Sequence, residues 1–277
     1  MNVEQRALCF GCDGCTLIGI LSLPQQPLAR GVLIVTGGPQ YRVGSHRQFT
    51  LLARHLAAQA IPVMRFDYRG MGDSDGTPRS FESVGEDIQC ALQEFFRAVP
   101  ELAQVILWGL CDGATAAAFY ARQDSRVCGL ILLNPWVRTG QGAARATLRH
   151  YYAARLLEPD FWRKLTRGAL QPGAVLASLR QLLRAAGRRP DAAQLALPAR
   201  MFEGLSRFDG KILIILSGED LTAREFADLQ RSSAAWRRLS SAPRMRQVEL
   251  AGANHTFSRR DWREEVARLC ASWASSW

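Results

Sequence analysis

The sequence predicts an α/β fold: a mostly parallel sheet with helices on both faces and an inserted helical segment. Three observations carry this. Short apolar, β-branched runs alternate with longer stretches of helical spacing. Several of the apolar runs are continuous rather than alternating, as in strands covered on both faces. One long segment, 136–205, has helical patterns and no strand-like run. The 277 residues, 48% of them hydrophobic, suffice for one large domain with an insertion.

The elements follow in order. "RALCF" and "TLIGILSL" read as an opening hairpin, turned at Asp13-Gly14. "GVLIVT" (31–36) is the first fully buried strand. Residues 45–60 have helical spacing, with Ser45 as N-cap. "PVMRFD" (62–67) is the next strand. A loop rich in Gly, Asp and Ser leads to a helix over 81–98. "QVILWG" (104–109), a helix over 112–123 and "VCGLILLN" (127–134) continue the alternation. "KILIILSG" (211–218), a helix over 222–238, "RQVEL" (246–250) and a helix over 258–275 complete it. The expected organisation is a core of residues 1–135 and 206–277, with residues 136–205 as a helical cap.

Composition excludes several function classes. No apolar run approaches the roughly 18 residues of a membrane span. The N-terminus lacks a basic start followed by an apolar stretch, so the expected location is cytoplasmic. Seven cysteines, an odd number, argue against a disulfide framework. Cys12 and Cys15 form a C-x-x-C pair, but they flank a hairpin turn and no second pair follows at zinc spacing, so no metal and no cofactor is expected. The net charge is +10. Residues 136–205 hold twelve Arg or Lys against four acids, net +8, so most of the excess sits in the cap. No nucleic-acid motif accompanies it. The charge suits either a set of solvated helix faces or an anionic substrate or partner, such as coenzyme A or a phosphopantetheine-bearing carrier protein. The oligomeric state is not legible.

The chemistry centres on "GLCDG" (109–113), between a strand and a helix. It has the G-x-nucleophile-x-G form of a nucleophile elbow, with Cys111 where serine is usual. A helix opening at Asp112 aims free N–H groups at the sulfur and favours thiolate. A cysteine taken alone is more often packed core than nucleophile. The pattern resembles the α/β-hydrolase superfamily, whose fold and chain order of nucleophile, acid and histidine then become the expectation. Asp220, in "SGEDLTAREF", follows the strand 211–218 where that superfamily places its acid. The spacing leaves Glu219 as a rival. His255, in "AGANHTF", occupies the histidine loop. "TGGPQ" (36–40) lies where the oxyanion hole is built. Pro39 has no N–H, so Gly38 is the expected donor, together with the N–H of Asp112. "FDYRGMGDSDG" (66–76) resembles a structural loop of the superfamily.

"TGGPQYRVGSHRQF", "FDYRGMGDSDG", "GLCDGA" and "SGEDLTAREF" together resemble the exosortase A system-associated hydrolase 1 family, over the whole chain. That resemblance implies a hydrolase in an exopolysaccharide or protein-sorting setting, and neighbouring acyl carrier chemistry hints at thioesters. The expected activity is cleavage of an acyl thioester or activated ester by a Cys-His-Asp triad, on a small-molecule or carrier-bound substrate. Acyl transfer by the same triad, or a non-catalytic binding protein on this fold, are the alternatives.

Overall fold

A computed structural model describes residues 3–38, 40–137 and 192–277. Eight strands form one sheet: β1 (Val3–Cys12), β2 (Cys15–Pro24), β3 (Arg30–Val35), β4 (Val63–Phe66), β5 (Gln104–Leu110), β6 (Val127–Leu133), β7 (Lys211–Ser217) and β8 (Met245–Leu250). Their spatial order is β1-β2-β4-β3-β5-β6-β7-β8. The hairpin β1–β2 and the β2–β4 pair are antiparallel, and every later pairing is parallel.

The helices are α1 (Gln48–Ala57), α2 (Gly85–Ala98), α3 (Asp112–Tyr120), α4 (Ala192–Ser206), α5 (Leu221–Ser232), α6 (Ala234–Ser240) and α7 (Arg260–Ala274). Central β5 shows why the sheet needs cover on both sides. Side chains alternate faces along a strand. Ile106, Trp108 and Leu110 pack into the core beneath α1 and α7. Val105 and Leu107 pack into the other core, beneath α2 and α3. A strand apolar on both faces reads as a continuous run, which is how "QVILWG" reads.

The helical expectation for 45–60 needs correction. A 3-10 turn (Ser45–Arg47) precedes α1, and His46 and Arg47 hold positive φ of 53° and 60°. Ser45 makes no cap. The Phe49 and Thr50 N–H groups donate to Val43 O, so the orphan amides are satisfied by backbone. The helix expected over 222–238 is two helices. Ser233 is extended there, and its hydroxyl caps the Trp236 N–H at 3.2 Å.

Residues 138–191 of the expected cap lie outside the described residues. The described end of that segment is α4, which buries Met201 and Leu205 in the core shared with α3. A Cβ on Gly204 would stand 2.5 Å from Ala118 O, so the two helices meet backbone to backbone. At the opening hairpin, Cys12 and Cys15 are cross-strand partners around Asp13-Gly14, and both are free thiols. Among the described residues, no His, Cys, Asp and Glu grouping suits a metal ion, and no helix is long and apolar enough to cross a membrane.

Candidate active site

The site is assembled at the C-terminal ends of β3, β5, β6, β7 and β8. Cys111 separates β5 from α3 and holds φ 60°, ψ −124°. A side chain at positive φ is strained, so neighbours must fix it. The Cys111 N–H donates to Leu133 O at 2.9 Å. Its carbonyl accepts from Ala114, Thr115 and Trp136 N–H groups. The flanking glycines are required by contact. A Cβ on Gly109 would stand 2.5 Å from Gly113 backbone, and one on Gly113 would stand 2.6 Å from Val35 O. The turn is therefore sharp, and the half-buried thiol sits at the N-terminus of α3.

Asp220 caps α5. Its carboxylate accepts from the Thr222 and Ala223 N–H groups at 3.3 and 3.1 Å. It also accepts from His255 Nδ1 at 2.8 Å. A carboxylate can only accept, so Nδ1 carries the proton and Nε2 is left to face the thiol. Asp220 and then Cys111 raise the His255 pKa from its usual 6.5 to about 10, against the effect of burial. That raised value favours the imidazolium form, next to the Cys111 sulfur at a helix N-terminus. Glu219 is placed differently. Its side chain is 66% exposed and lies 3.8 Å from Arg224.

Gly38 has φ 58° and follows β3 beside the elbow. The expected pair of N–H donors, Gly38 and Asp112, is brought together, but a resident carboxylate faces both. The side chain of Asp112 accepts from the Gly113 N–H at 3.0 Å. Burial pushes this carboxyl up from its ordinary value, while the N–H groups of Gly38, Gly113 and Asp112 itself favour its charge. Gly37 makes room for it: a Cβ there would stand 2.2 Å from Asp112 Oδ1.

Two residues that the sequence reading did not single out hold the histidine loop. Asn134, at φ 44°, ends β6. Its Nδ2 donates to Ser217 Oγ at 2.8 Å and to His255 O at 3.0 Å, and its Oδ1 accepts from the Ser217 N–H at 2.8 Å. Ser217 Oγ donates in turn to Asn254 O at 2.9 Å. Both residues are almost wholly buried. The Gly/Asp-rich loop 66–76 is tied by charge. Arg69 pairs with buried Asp87 and with Asp13 and Glu86, and Arg42 pairs with Asp67 and Asp73.

Known proteins share the fold. The model of the "Alpha/beta hydrolase family" matches residues 32–269. Over 130 residues the chain is 29% identical to a Penicillium "Polyketide transferase grgF", a match spanning 45% of this chain and 42% of that protein. Among solved structures, the Pyrococcus furiosus esterase Pf2001 superposes with a TM-score of 0.68 at 14% identity, covering 99% of this chain and 92% of that one. The dienelactone hydrolase of Anabaena variabilis superposes with a TM-score of 0.64 at 13% identity, covering 100% and 99%.

Proposed function

The chain belongs to the alpha/beta hydrolase family, and on that premise we propose that it cleaves acyl thioesters or activated esters through an acyl-enzyme on Cys111. The observation that carries the reading is the 2.8 Å contact of Asp220 with His255, whose imidazole is also influenced by Cys111. In the proposed reaction Cys111 sulfur, as thiolate paired with the His255 imidazolium, attacks the acyl carbon. The carbonyl π pair moves onto oxygen, and the Gly38 and Asp112 N–H groups stabilise that charge. The intermediate collapses. The bond from carbon to the leaving thiol breaks, and His255 gives that sulfur its proton. Neutral His255 then removes a proton from water as water attacks the acyl-enzyme. The carboxylic acid departs, and thiolate and imidazolium are restored. Asp220 orients the imidazole and stabilises its charge throughout. For the oxyanion to form, the Asp112 carboxylate must turn away from the donors it faces.

Sulfur as nucleophile argues for the substrate class. An intermediate between a thiolate and an alkyl ester expels the thiolate, because thiols ionise near pH 8.5 and alcohols far higher. With a thioester both departing groups are thiolates, and forward collapse competes evenly. The basic segment 136–205 adds the expectation of an anionic, carrier-bound or coenzyme A-bound donor. We also propose a cytoplasmic setting linked to exosortase and exopolysaccharide loci, on the four motifs quoted above. Acyl transfer to an alcohol or amine is the second reading, favoured by the partial likeness to a polyketide transferase.

The test is the ratio of kcat/KM for one acyl group on a thiol and on a simple alcohol. Wild type is expected to prefer the thioester, and Cys111→Ser is expected to shift the ratio toward the ester. A wild type that prefers the alkyl ester, or a serine variant with an unchanged ratio, overturns the substrate class.

A further inference from the structure

A cavity of about 410 Å³ opens between α1 and α7 on the sheet face opposite α2 and α3. None of Cys111, Asp220 and His255 lines it. Its walls are apolar: Leu52, Trp108, Leu133, Phe257 and Ala267 among them. The volume falls in the range of about 300–1,000 Å³ that small-molecule sites occupy. A surface groove with only apolar walls would say little about a ligand, but this one also carries polar and charged groups.

Gln48 lines the cavity, is 92% buried, and among the described residues its Nε2 has no hydrogen-bond partner. A buried amide donor left unpaired is costly and rare in folded proteins. The mouth carries Arg260 and Arg263 from α7, with Glu264 and His55 beside them. Glu264 is engaged by Arg260 at 2.6 Å, and Arg263 donates to Ser258 O, so among the described residues the guanidinium of Arg263 adds a positive charge at the rim with no carboxylate bound to it. His55 Nε2 lies 2.9 Å from the Gln59 amide. Two arginines against one glutamate leave the rim net positive, and it favours negative charge. A planar guanidinium matches a carboxylate in particular.

We propose that the cavity between α1 and α7 binds an apolar carboxylate, with its hydrocarbon against the walls and its charged end toward Arg263. The inference does not depend on the reaction at Cys111. Its position is informative nonetheless. Phe257 lies two residues beyond His255, and Leu133 directly precedes Asn134, so an occupant rests against the backs of the two segments that hold the histidine.

The test uses decanoate and decanol on full-length Cys111→Ala protein, by calorimetry, with a diazirine-bearing decanoate for crosslinking. Decanoate is expected to bind and to crosslink to peptides containing residues 48–55 or 260–267. Ala267→Phe, which fills the cavity, is expected to weaken decanoate at least tenfold. Arg263→Gln is expected to weaken decanoate several-fold and leave decanol unchanged. Should Ala267→Phe fail to fold, Arg263→Gln and the crosslinked peptide decide the matter. No decanoate binding at about 1 mM, an affinity of only about 4 kcal/mol, overturns the proposal. So does crosslinking confined to the loops around residues 111, 220 and 255, or affinity that neither variant alters.

Discussion

Asp220 and Glu219 are adjacent acids with different surroundings, and the difference is one of geometry. Asp220 receives two helix N-terminal amides and the His255 ring, whereas Glu219 faces solvent. Asp220→Asn is expected to lower kcat by roughly 10²–10⁴-fold, because the imidazolium loses its orienting charge. Glu219→Gln is expected to leave it within about twofold, as for other exposed surface changes. The pH profile gives the sign. His255 must be protonated to release the leaving thiol, so kcat/KM is expected to fall as pH rises through about 10. Asp220 is the first cause of that raised value, so the alkaline limb in Asp220→Asn is expected to move to lower pH. An unmoved limb would show that His255 is not the group observed. Asp112 makes a separate prediction. Its carboxylate competes with the substrate oxygen for the same donors, and a site open only part of the time binds weakly in proportion. Asp112→Asn keeps the backbone donor and removes the charge, and is expected to raise kcat/KM by up to about tenfold. A fall of several orders of magnitude, in a folded variant, would instead make the carboxylate a participant. The candidate residues themselves were legible because each follows an apolar run. The contact of the Asp112 carboxylate with the Gly38 N–H was not, because it depends on how closely Gly37 lets two loops approach.

At the scale of elements, the strands read well and the joints between them did not. A run such as "QVILWG" announces a covered strand by composition alone. The positive φ of Arg47 has no such signature, since arginine rarely adopts it. The latch was illegible for a related reason: Asn134 meets Ser217 and His255, which are 83 and 121 residues away in the chain. It nonetheless explains how three strand ends present one histidine. Asn134→Leu removes a donor pair and an acceptor from a dry site and leaves the Ser217 N–H unpaired. Each buried group so abandoned costs about 1–3 kcal/mol. The variant is expected to be destabilised by at least that amount in denaturant unfolding, and to lose kcat more than it raises KM. A stability change below about 0.5 kcal/mol, with normal kcat, would remove the latch from the account.

The whole molecule brings together what lies far apart in sequence. β5 is the centre of the sheet, so its C-terminal end is flanked by the loops after β3 and β6, and β7 and β8 follow on one side. That order explains how residues 38, 111, 220 and 255 converge, and why a chain with its apolar runs in this succession can be read for a site before it is seen. The basic segment was legible only as charge, because composition fixes its sign and not its shape. The central claim, that Cys111 carries the acyl group, is tested most directly by rapid-quench intact-mass spectrometry with an acyl-coenzyme A donor, followed by peptide mapping. The account predicts that wild type gains the mass of the acyl group on the peptide containing Cys111, and that Cys111→Ala gains none and does not turn over. Turnover by Cys111→Ala at the wild-type rate, or an acyl group mapped to another residue, would contradict it.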